Sequence, residues 1–176
     1  GLLLGAFDGA ALVSFVFGFP GISAEGKLLH CSHMMGVASG YQSQGIGYQL
    51  KLAQREQVLG QGVDLITWTY DPLESRNAYL NVHKLGCVCR TYVQDYYGPL
   101  SDGLSAGLPT DRFQIEWWIG SARVHRRLAG LSGTQSADAV LQVNATTRTA
   151  GGYLAPGEVN LESGVRAIRF EIPADY

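Results

Sequence analysis

The sequence predicts an α/β (α+β) fold, in which a mixed, mostly antiparallel sheet carries helices on its faces. Three apolar strand patterns follow one another over residues 2–37, as in a hairpin meander. Helix and strand patterns then alternate, which is typical of a unit that places two parallel strands side by side. The chain has 176 residues, which suits one domain with a small appendage.

Turn residues separate the first three predicted strands. Leu2–Phe7 and Ala11–Phe19 flank Asp8-Gly9, a dipeptide that favours a tight hairpin turn. The following Phe19-Pro20-Gly21 is expected to break the second strand, because proline cannot donate to a ladder. Lys27–Val37 is the third strand.

A helix is predicted over Gly45–Leu59 and is ended by Gly60 and Gly62. The residues at helical spacing, which should face the sheet, are Leu50, Ala53, Gln57 and Val58. Val63–Thr69 is a short apolar strand that should run parallel to the third strand, because a helix connects the two.

A second helix should start at Ser75, a favourable N-cap residue, and end near Leu85 before Gly86. Alternating apolar residues predict two more strands, Cys87–Val93 and Arg112–Ile119. These elements complete the main domain, which we place at residues 1–128.

Two segments are rich in small and polar residues. The loop Asp95–Pro109 is long enough to suggest a function. Ala129–Ala137 is predicted to be a linker or a surface loop. It opens a small strand-rich extension, residues 129–176, with strands expected near Ala139–Val143 and Val165–Ile172 around a Gly151-Gly152 turn.

Composition excludes several classes of partner. The net charge is −2, so overall charge gives no reason to expect nucleic acid or an anionic membrane. No apolar run reaches the ~20 residues that span a bilayer. Three cysteines without a disulfide framework indicate a reducing compartment, and we expect a cytoplasmic protein. Cys87 and Cys89 should point the same way along their strand, and no zinc-type spacing is present, so we expect no metal.

The most informative segment runs from Met35 to Leu50. A Gly-rich turn here opens a helix, and free backbone N–H groups at a helix start favour an anion. Gly45 and Gly47 have no Cβ, so a diphosphate can approach the backbone, and Gln42 can orient the loop or donate to a phosphate. Leu50 stands where a dinucleotide fingerprint needs its third glycine, and the Lys-Ser/Thr of a P-loop is absent. A turn that only connects strand to helix is the alternative.

The remaining pattern, Gln-x-x-Gly-x-Gly after a strand, resembles the acyl-CoA-binding motif of the GNAT superfamily of N-acetyltransferases. A second similarity is Asp71–Ala78 leading to Lys84-Leu85-Gly86. Leu65–Pro72 and Gly107–Phe113 are similar to a predicted acetyltransferase subfamily of that superfamily. The resemblance covers Gly1–Ile119, and implies that the first strand and first two helices of the family lie outside this sequence.

The resemblance implies acetyl-CoA, or another acyl-CoA, as co-substrate and a small amine as second substrate. The third and fourth strands would splay after Val37 and near Thr67, with the thioester in the opening. No covalent intermediate is needed, and the sequence leaves room for a homodimer. The residues implied in binding the co-substrate are Met35, Gly36 and Val37 at the pantetheine, Gln42, Ser43, Gln44, Gly45, Ile46, Gly47 and Tyr48 at the diphosphate, and Asn77 beside the pantetheine.

Three catalytic candidates remain. Val82 stands where many family members have the acidic Tyr, so Tyr79, one turn earlier, is the candidate acid if its helix is rotated. His33 is the candidate base on a strand face shared with Cys31, Met35 and Val37, or a His that packs within the sheet. Asp71 follows a parallel strand, where sites lie in α/β sheets, or merely begins an Asp-Pro turn.

Further side chains are candidates for substrate contacts. Lys51 and Arg55 meet the 3′-phosphate of CoA or form a solvated helix face. Tyr96, Tyr97 and Arg112 line an acceptor site, or Arg112 pairs locally.

The leading hypothesis is an acyl-CoA-dependent N-acyltransferase, most simply an acetyltransferase, that acts directly on the amino group of a small metabolite. The alternatives are a non-catalytic acyl-CoA-binding or sensor module of the same fold, and a scaffold whose Gly turn binds nothing.

Overall fold

The computed structural model describes residues 1–98, 110–131, 141–152, 154–160, 168–169 and 171. The chain divides into two compact units, residues 1–132 and 133–176. Most of the predicted loop (residues 99–109) and most of the predicted linker (residues 132–137) lie outside the described residues.

The first unit is built on a six-stranded sheet with the order β1-β2-β3-β4-β6-β5. Every neighbouring pair is antiparallel except β3 and β4, which are parallel. This confirms the predicted mixed, mostly antiparallel sheet. The strands are β1 (Leu2–Asp8), β2 (Ala11–Ile22), β3 (Leu28–Val37), β4 (Leu65–Tyr70), β5 (Val88–Val93) and β6 (Arg112–Trp118).

The predicted break of β2 at Pro20 is wrong, because the strand continues to Ile22. The described pairing of β1 with β2 runs from Asp8 opposite Ala11 to Leu2 opposite Gly18. Pro20 lies beyond it, opposite His30 of β3, and no described residue pairs with it on its other side. A proline is tolerated in a strand where its missing N–H is not needed by the ladder.

The parallel pair β3 and β4 separates almost at once. Their register comprises His30 opposite Ile66 and Cys31 opposite Thr67. Beyond these two pairs β3 continues for six residues to Val37, beside the antiparallel partner β2. The expected splay of the two strands is therefore present, and it starts well before Val37.

Helix α1 (Ile46–Gly60) lies against the sheet with a face that agrees with the predicted one at Leu50 and Val58 only. Its buried residues are Leu50, Lys51, Gln54 and Val58, whereas Ala53 and Gln57 are exposed. Val58 joins a core with Ile66, Ile115 and Trp117, which are fully buried on the neighbouring strands β4 and β6.

The second predicted helix has an irregular form. α2 covers Ser75–Ala78 and continues as one π-helical segment, Tyr79–Lys84, in which Leu85 N–H donates to Leu80 C=O at 2.9 Å. Ser75 is the first helical residue rather than the N-cap, which is Glu74. Gly86 ends the segment as predicted, with φ at +77°.

The sequence patterns missed helix α3 (Ala122–Leu128). Its N-cap is Ser121, whose hydroxyl accepts from Val124 N–H at 3.3 Å, an ordinary helix start. Val124 is the buried residue that attaches this short helix to the core. Seven residues with one buried position give too little periodicity to detect from the sequence.

The second unit is described only in part. β7 (Leu141–Gln142) and β10 (Ile168–Arg169) are parallel, while β8 (Thr146–Arg148) and β9 (Leu154–Pro156) form a hairpin. Gly152 turns that hairpin with φ at +86°. The strands predicted near 139–143 and 165–172 are present where they are described.

None of the helices in the described part of the chain is long and apolar enough to cross a bilayer. Cys31, Cys87 and Cys89 are free thiols, but Cys87 is buried just before β5 and Cys89 is exposed. The prediction that Cys87 and Cys89 point the same way is therefore wrong, since Cys87 is not part of the strand. The expected cytoplasmic location and homodimer stay predictions.

Candidate active site

The Gly-rich turn connects β3 to α1 and leaves the start of the helix open. Gly45 is the N-cap residue, with φ at +82°, and nothing lies within 4 Å of the place where a Cβ would stand. The first helical hydrogen bond runs from Gln49 N–H to Gly45 C=O at 3.1 Å, so the N–H groups of Ile46, Gly47 and Tyr48 precede the helical ladder. The first turn holds no acidic residue. This arrangement suits an anionic group.

Two glutamine side chains fix the turn. Gln42 Nε2 donates to Val37 C=O at 3.3 Å, and Gln44 Nε2 donates to Gly40 C=O at 3.1 Å. Ser43 takes a left-handed conformation with φ at +61°. Gln42 therefore orients the loop, which is one of the two roles expected from the sequence.

The open helix start and the end of β3 border one cavity. A Cβ added to Gly47 would stand 3.4 Å from the Met35 methyl group and 3.8 Å from Val37 Cγ2, so the start of α1 lies in van der Waals reach of the end of β3. The cavity measures about 790 Å³, and we call it the Gly-turn cavity. The residues that line it are Met35, Val37, Gln42, Ser43, Gly45, Gly47, Tyr48, Ser75, Arg76, Asn77, Tyr79, Leu80 and Lys84.

A second cavity of about 370 Å³, the splay cavity, lies where β3 and β4 part. The residues that line it are Phe15, Ser32, His33, Met34, Met35, Lys51, Trp68, Thr69, Tyr70, Asn77, Leu80 and Asn81. Met35, Asn77 and Leu80 line both cavities, so the two spaces adjoin at these side chains. The structure thus brings the predicted Gly turn, Met35 and Asn77 together.

Lys51 reaches the splay cavity from α1 and is buried, with 3 % of its surface exposed. Its Nζ donates to Ser32 Oγ at 2.7 Å and to Gln54 Oε1 at 3.3 Å, and lies 3.8 Å from the centre of the Trp68 ring. The predictions that Lys51 meets the 3′-phosphate or a solvated face are both wrong, because this residue points into the sheet. Arg55 is engaged as well, since its Nε donates to Ile119 C=O at 2.8 Å.

Burial changes the protonation of the groups around this lysine. It lowers the pKa of Lys51 to about 7, with the Cys87 thiol opposing the shift. Burial, and then the Lys51 charge, lower the pKa of His30, whose ring meets Gln54 Nε2 at 3.2 Å. Burial raises the pKa of Cys87 well above its usual range. A lysine that is partly neutral near pH 7 can accept a proton there.

His33 lies in the splay cavity, but not on the strand face predicted for it. In the register of β2 and β3, Phe17 pairs with Met34 and Gly18 with Ser32, so His33 is an extra residue at a bulge. Its ring contacts the rings of Phe17 and Phe19, with centroids 6.3 and 5.6 Å away. Met35 instead contacts the start of α1. The expectation that His33 shares a face with Met35 and Val37 is therefore wrong.

Tyr79 borders the Gly-turn cavity, while Val82, at the position of the family's Tyr, is not among the described residues that line either cavity. Tyr79 is 54 % exposed and stacks on His83 with ring centroids 4.7 Å apart. Lys84 Nζ lies 5.6 Å from its ring and 5.7 Å from that of Tyr48. The π-helical segment starts at Tyr79 and so changes the direction of the side chains that follow it.

Asp71 starts a turn, which is the structural one of the two roles predicted for it from the sequence. Its Oδ1 accepts from Leu73 N–H at 2.9 Å, and its Oδ2 lies 3.5 Å from Arg112 Nη1. Arg112 also lies 5.1 Å from the ring of Tyr97, which packs edge-on against Tyr96. The ion pair of Arg112 is thus with Asp71, which follows β4, and its neighbour Asp111 only accepts from Nη1 through the backbone C=O, at 2.7 Å. Most of the loop Asp95–Pro109, for which the sequence suggests a function, lies outside the described residues.

The sequence reading missed the pairing of Ser32 with Lys51. A signal was present, since Lys51, Gln54 and Val58 are spaced three and four residues apart and so share one helix face. The charge of Lys51 argued for solvent exposure, and this outweighed the spacing.

Comparisons with known proteins give the fold but no close relative. No protein-family model matches the sequence, and no curated protein sequence is detectably similar. Among solved structures, the ribosomal-protein-S18-alanine N-acetyltransferase from Escherichia coli is 19 % identical, with a TM-score of 0.53 over 69 % of this chain and 70 % of that one.

Two further structures agree. A GNAT family acetyltransferase from Elizabethkingia anophelis with acetyl-CoA bound is 16 % identical, with a TM-score of 0.54 over 66 % of this chain and 74 % of that one. Chaetomium thermophilum Naa20 in complex with a bisubstrate analogue is 15 % identical, with a TM-score of 0.55 over 76 % and 70 %. The chain therefore has the fold of the GNAT acetyltransferases.

Proposed function

We propose that the protein is an acyl-CoA-dependent N-acyltransferase, most simply an acetyltransferase, that acts on the amino group of a small metabolite. The observation that carries the proposal is the meeting of two cavities at Met35, Asn77 and Leu80. One cavity begins at an open helix start that suits a diphosphate, and the other holds a proton-accepting side chain. Group transfer between two bound substrates needs this kind of arrangement.

In this proposal the co-substrate occupies the Gly-turn cavity. The N–H groups of Ile46, Gly47 and Tyr48 hold the diphosphate, and the turn from Gln42 to Gly45 shapes the space for it. The backbone of Met35, Gly36 and Val37 pairs with the pantetheine amides, with Asn77 beside it. These roles extend the resemblance onto residues that lie together in the structure.

The acceptor amine occupies the splay cavity. About 370 Å³ suits a small molecule, since ligand cavities of this kind start near ~300 Å³. The amine attacks the thioester carbonyl carbon, the C–N bond forms, and the C–S bond breaks to release the thiolate of CoA. The protein has to place the two groups, receive the proton of the amine and keep water away.

The rival is a non-catalytic acyl-CoA-binding module of the same fold. Val82, which stands in place of the usual Tyr, favours it, and the two adjoining cavities oppose it.

One experiment separates these possibilities. Calorimetric titration with acetyl-CoA measures binding, and release of the CoA thiol is then followed with a panel of amines that includes amino acids, polyamines and N-terminal peptides. We expect binding and thiol release that depends on a small amine. Binding without release for any amine would favour the non-catalytic module, release only with peptides would exclude the small-metabolite substrate, and absence of binding would exclude both.

A further inference from the structure

Lys51 lines the splay cavity, but it has no role in the proposed binding of the co-substrate. It comes from the second turn of α1 and is 3 % exposed, although it lines the cavity. Burying a lysine is costly unless a group nearby compensates it or the lysine is neutral. A buried lysine at the edge of a cavity is therefore a candidate for chemistry.

The neighbours of Lys51 do not hold it as a permanent cation. Ser32 Oγ, Gln54 Oε1 and the face of Trp68 are all neutral. No Asp or Glu occurs among the described residues that line the cavity, and no ion pair in the described part involves Lys51. The three contacts fix the direction of the amine while leaving it free to gain and lose a proton.

On the basis of the proposed function, we propose that Lys51 is the base that takes the proton from the acceptor amine in the splay cavity. The attacking nitrogen forms its bond to the thioester carbonyl carbon, and the electron pair of the C–S bond leaves on the thiolate of CoA. The proton released by the nitrogen passes to the lone pair of Lys51 Nζ. The ammonium then returns this proton to the thiolate or to water, so that no oxidant, reductant or covalent enzyme intermediate is required.

Ser32 is a positioning residue in this scheme. It lies on β3 at the point where β4 departs, and its hydroxyl contacts both Lys51 Nζ and Gln54 Oε1, the latter at 3.1 Å. The hydroxyl accepts from Lys51 Nζ and donates to Gln54 Oε1, so it holds the amine through an N–H group and leaves the lone pair of a neutral Lys51 free to accept a proton.

Other titratable groups face the same region, and their contributions to a pH profile must be distinguished from that of Lys51. His30 and Cys87 interact electrostatically with it, and His33 and Tyr70 line the same cavity. His33 is the competing base, because it is an imidazole in the same space. Its ring packs against Phe17 and Phe19 of β2.

The test compares two substitutions of Lys51 with a matched control. Lys51→Met keeps the length of the side chain and removes the proton acceptor, while Lys51→Arg keeps a cation that does not deprotonate. Lys27→Met makes the same chemical change at an exposed residue in the turn before β3. Each variant is checked by acetyl-CoA titration and thermal unfolding, and kcat is then measured against pH at saturating amine.

We expect both Lys51 variants to lose ~10²- to 10⁴-fold in kcat, the range of a general base, while acetyl-CoA affinity stays within about threefold of wild type. The wild-type kcat should rise with pH to a plateau, and this rise should be absent in Lys51→Arg. Ser32→Ala should lower kcat less than Lys51→Met and keep the rise. Lys27→Met should behave as wild type.

Three outcomes would overturn the assignment. Wild-type kcat in Lys51→Met would remove Lys51 from the chemistry. A parallel loss of acetyl-CoA affinity and kcat would make it structural, and an acetyl group accumulating on Lys51 during turnover would make it an acceptor rather than a base. Failure of the proposed function would give a different result. The wild-type protein would then bind acetyl-CoA and acetylate no amine, and the role of Lys51 as a base would be excluded as well.

Discussion

The two cavities that meet at Met35 are built from opposite kinds of group. The Gly-turn cavity offers backbone N–H groups and residues without a Cβ, all from one continuous segment between β3 and α1. The splay cavity offers a buried side chain, Lys51, that reaches between two strands and is held by Ser32 from the sheet. The Gly-turn cavity suits a group with a permanent negative charge. The splay cavity suits a group that gains and loses a proton near neutral pH.

In the proposed function, helix α1 has two roles. Its first turn exposes backbone dipoles to solvent, and one turn later the same helix turns Lys51 inward under the splayed strands. A site for an anion needs open N–H groups, whereas a proton acceptor near neutral pH needs a lysine with a lowered pKa, which burial supplies. Each prediction below changes one of the two regions and leaves the other intact.

The largest effect on stability is expected from Lys51. Burial lowers the pKa of Lys51 to about 7, so between pH 7 and about 8.5 the unfolded chain binds more protons than the folded one. The free energy of unfolding therefore rises with pH in this window, by at most about 1.4 kcal/mol per pH unit. Lys51→Met should lose this rise, which amounts to about 2 kcal/mol over the window. Urea unfolding at several pH values measures it, and an identical slope in wild type and variant would contradict a buried, partly neutral lysine.

The next effect concerns the charge at the Gly turn. Asn and Asp are the side chains that best tolerate the left-handed conformation of Gly45, and they have nearly the same shape. Gly45→Asp adds a negative charge before the open N–H groups and should weaken acetyl-CoA binding about tenfold more than Gly45→Asn, or about 1.4 kcal/mol.

Calorimetry with the two variants of Gly45 gives this difference directly. Gly26→Asp supplies a control, because Gly26 also has a left-handed conformation, with φ at +78° and free space around it, but lies in the turn before β3. Equal affinities for the Asp and Asn variants at Gly45 would argue that no phosphate lies there.

His33 distinguishes the two candidate bases. Since its ring packs against Phe17 and Phe19 at the bulge, we expect His33→Gln to lower kcat by about threefold and to keep the rise of kcat with pH. A loss of a hundredfold or more, with the rise abolished, would move the role of base from Lys51 to His33.

The smallest effect is expected at Tyr79. Its ring is half exposed and stacked on His83, and a thiolate is a good enough leaving group to take its proton from water. Tyr79→Phe should therefore change kcat by less than about twofold. A drop of tenfold or more, at unchanged acetyl-CoA affinity, would identify Tyr79 as the acid, as the resemblance suggested.

The parts that could be predicted from the sequence are those that local patterns determine. The succession of strands and helices along the chain as far as β6, the parallel pair and the Gly turn follow from apolar periodicity and from glycines in a short segment, and they are confirmed. The helix start at Gly45 needs no distant residue, because its conformation and its open N–H groups are set within the turn.

The parts that could not be predicted depend on how the elements pack. The bulge at His33 shifts the register of β2 and β3 by one residue, and one residue reverses the face of everything beyond it. The burial of Lys51 depends on which side of α1 meets the sheet, and two of its three neutral partners come from β3 and β4. The bulge leaves no signal within a window of a few residues, and the spacing of Lys51, Gln54 and Val58 marks a helix face without showing that the lysine on it is buried.

The measurement that tests the two-cavity account most directly is the initial-velocity pattern of the wild-type protein with acetyl-CoA and an amine it accepts. If each substrate has its own cavity and the two meet at Met35, both must be bound before transfer. Double-reciprocal plots at several fixed amine concentrations should then intersect, and no thiol should be released before the amine is added. Parallel lines with a burst of thiol in the absence of amine would show an acyl-enzyme intermediate and would contradict direct transfer between the cavities.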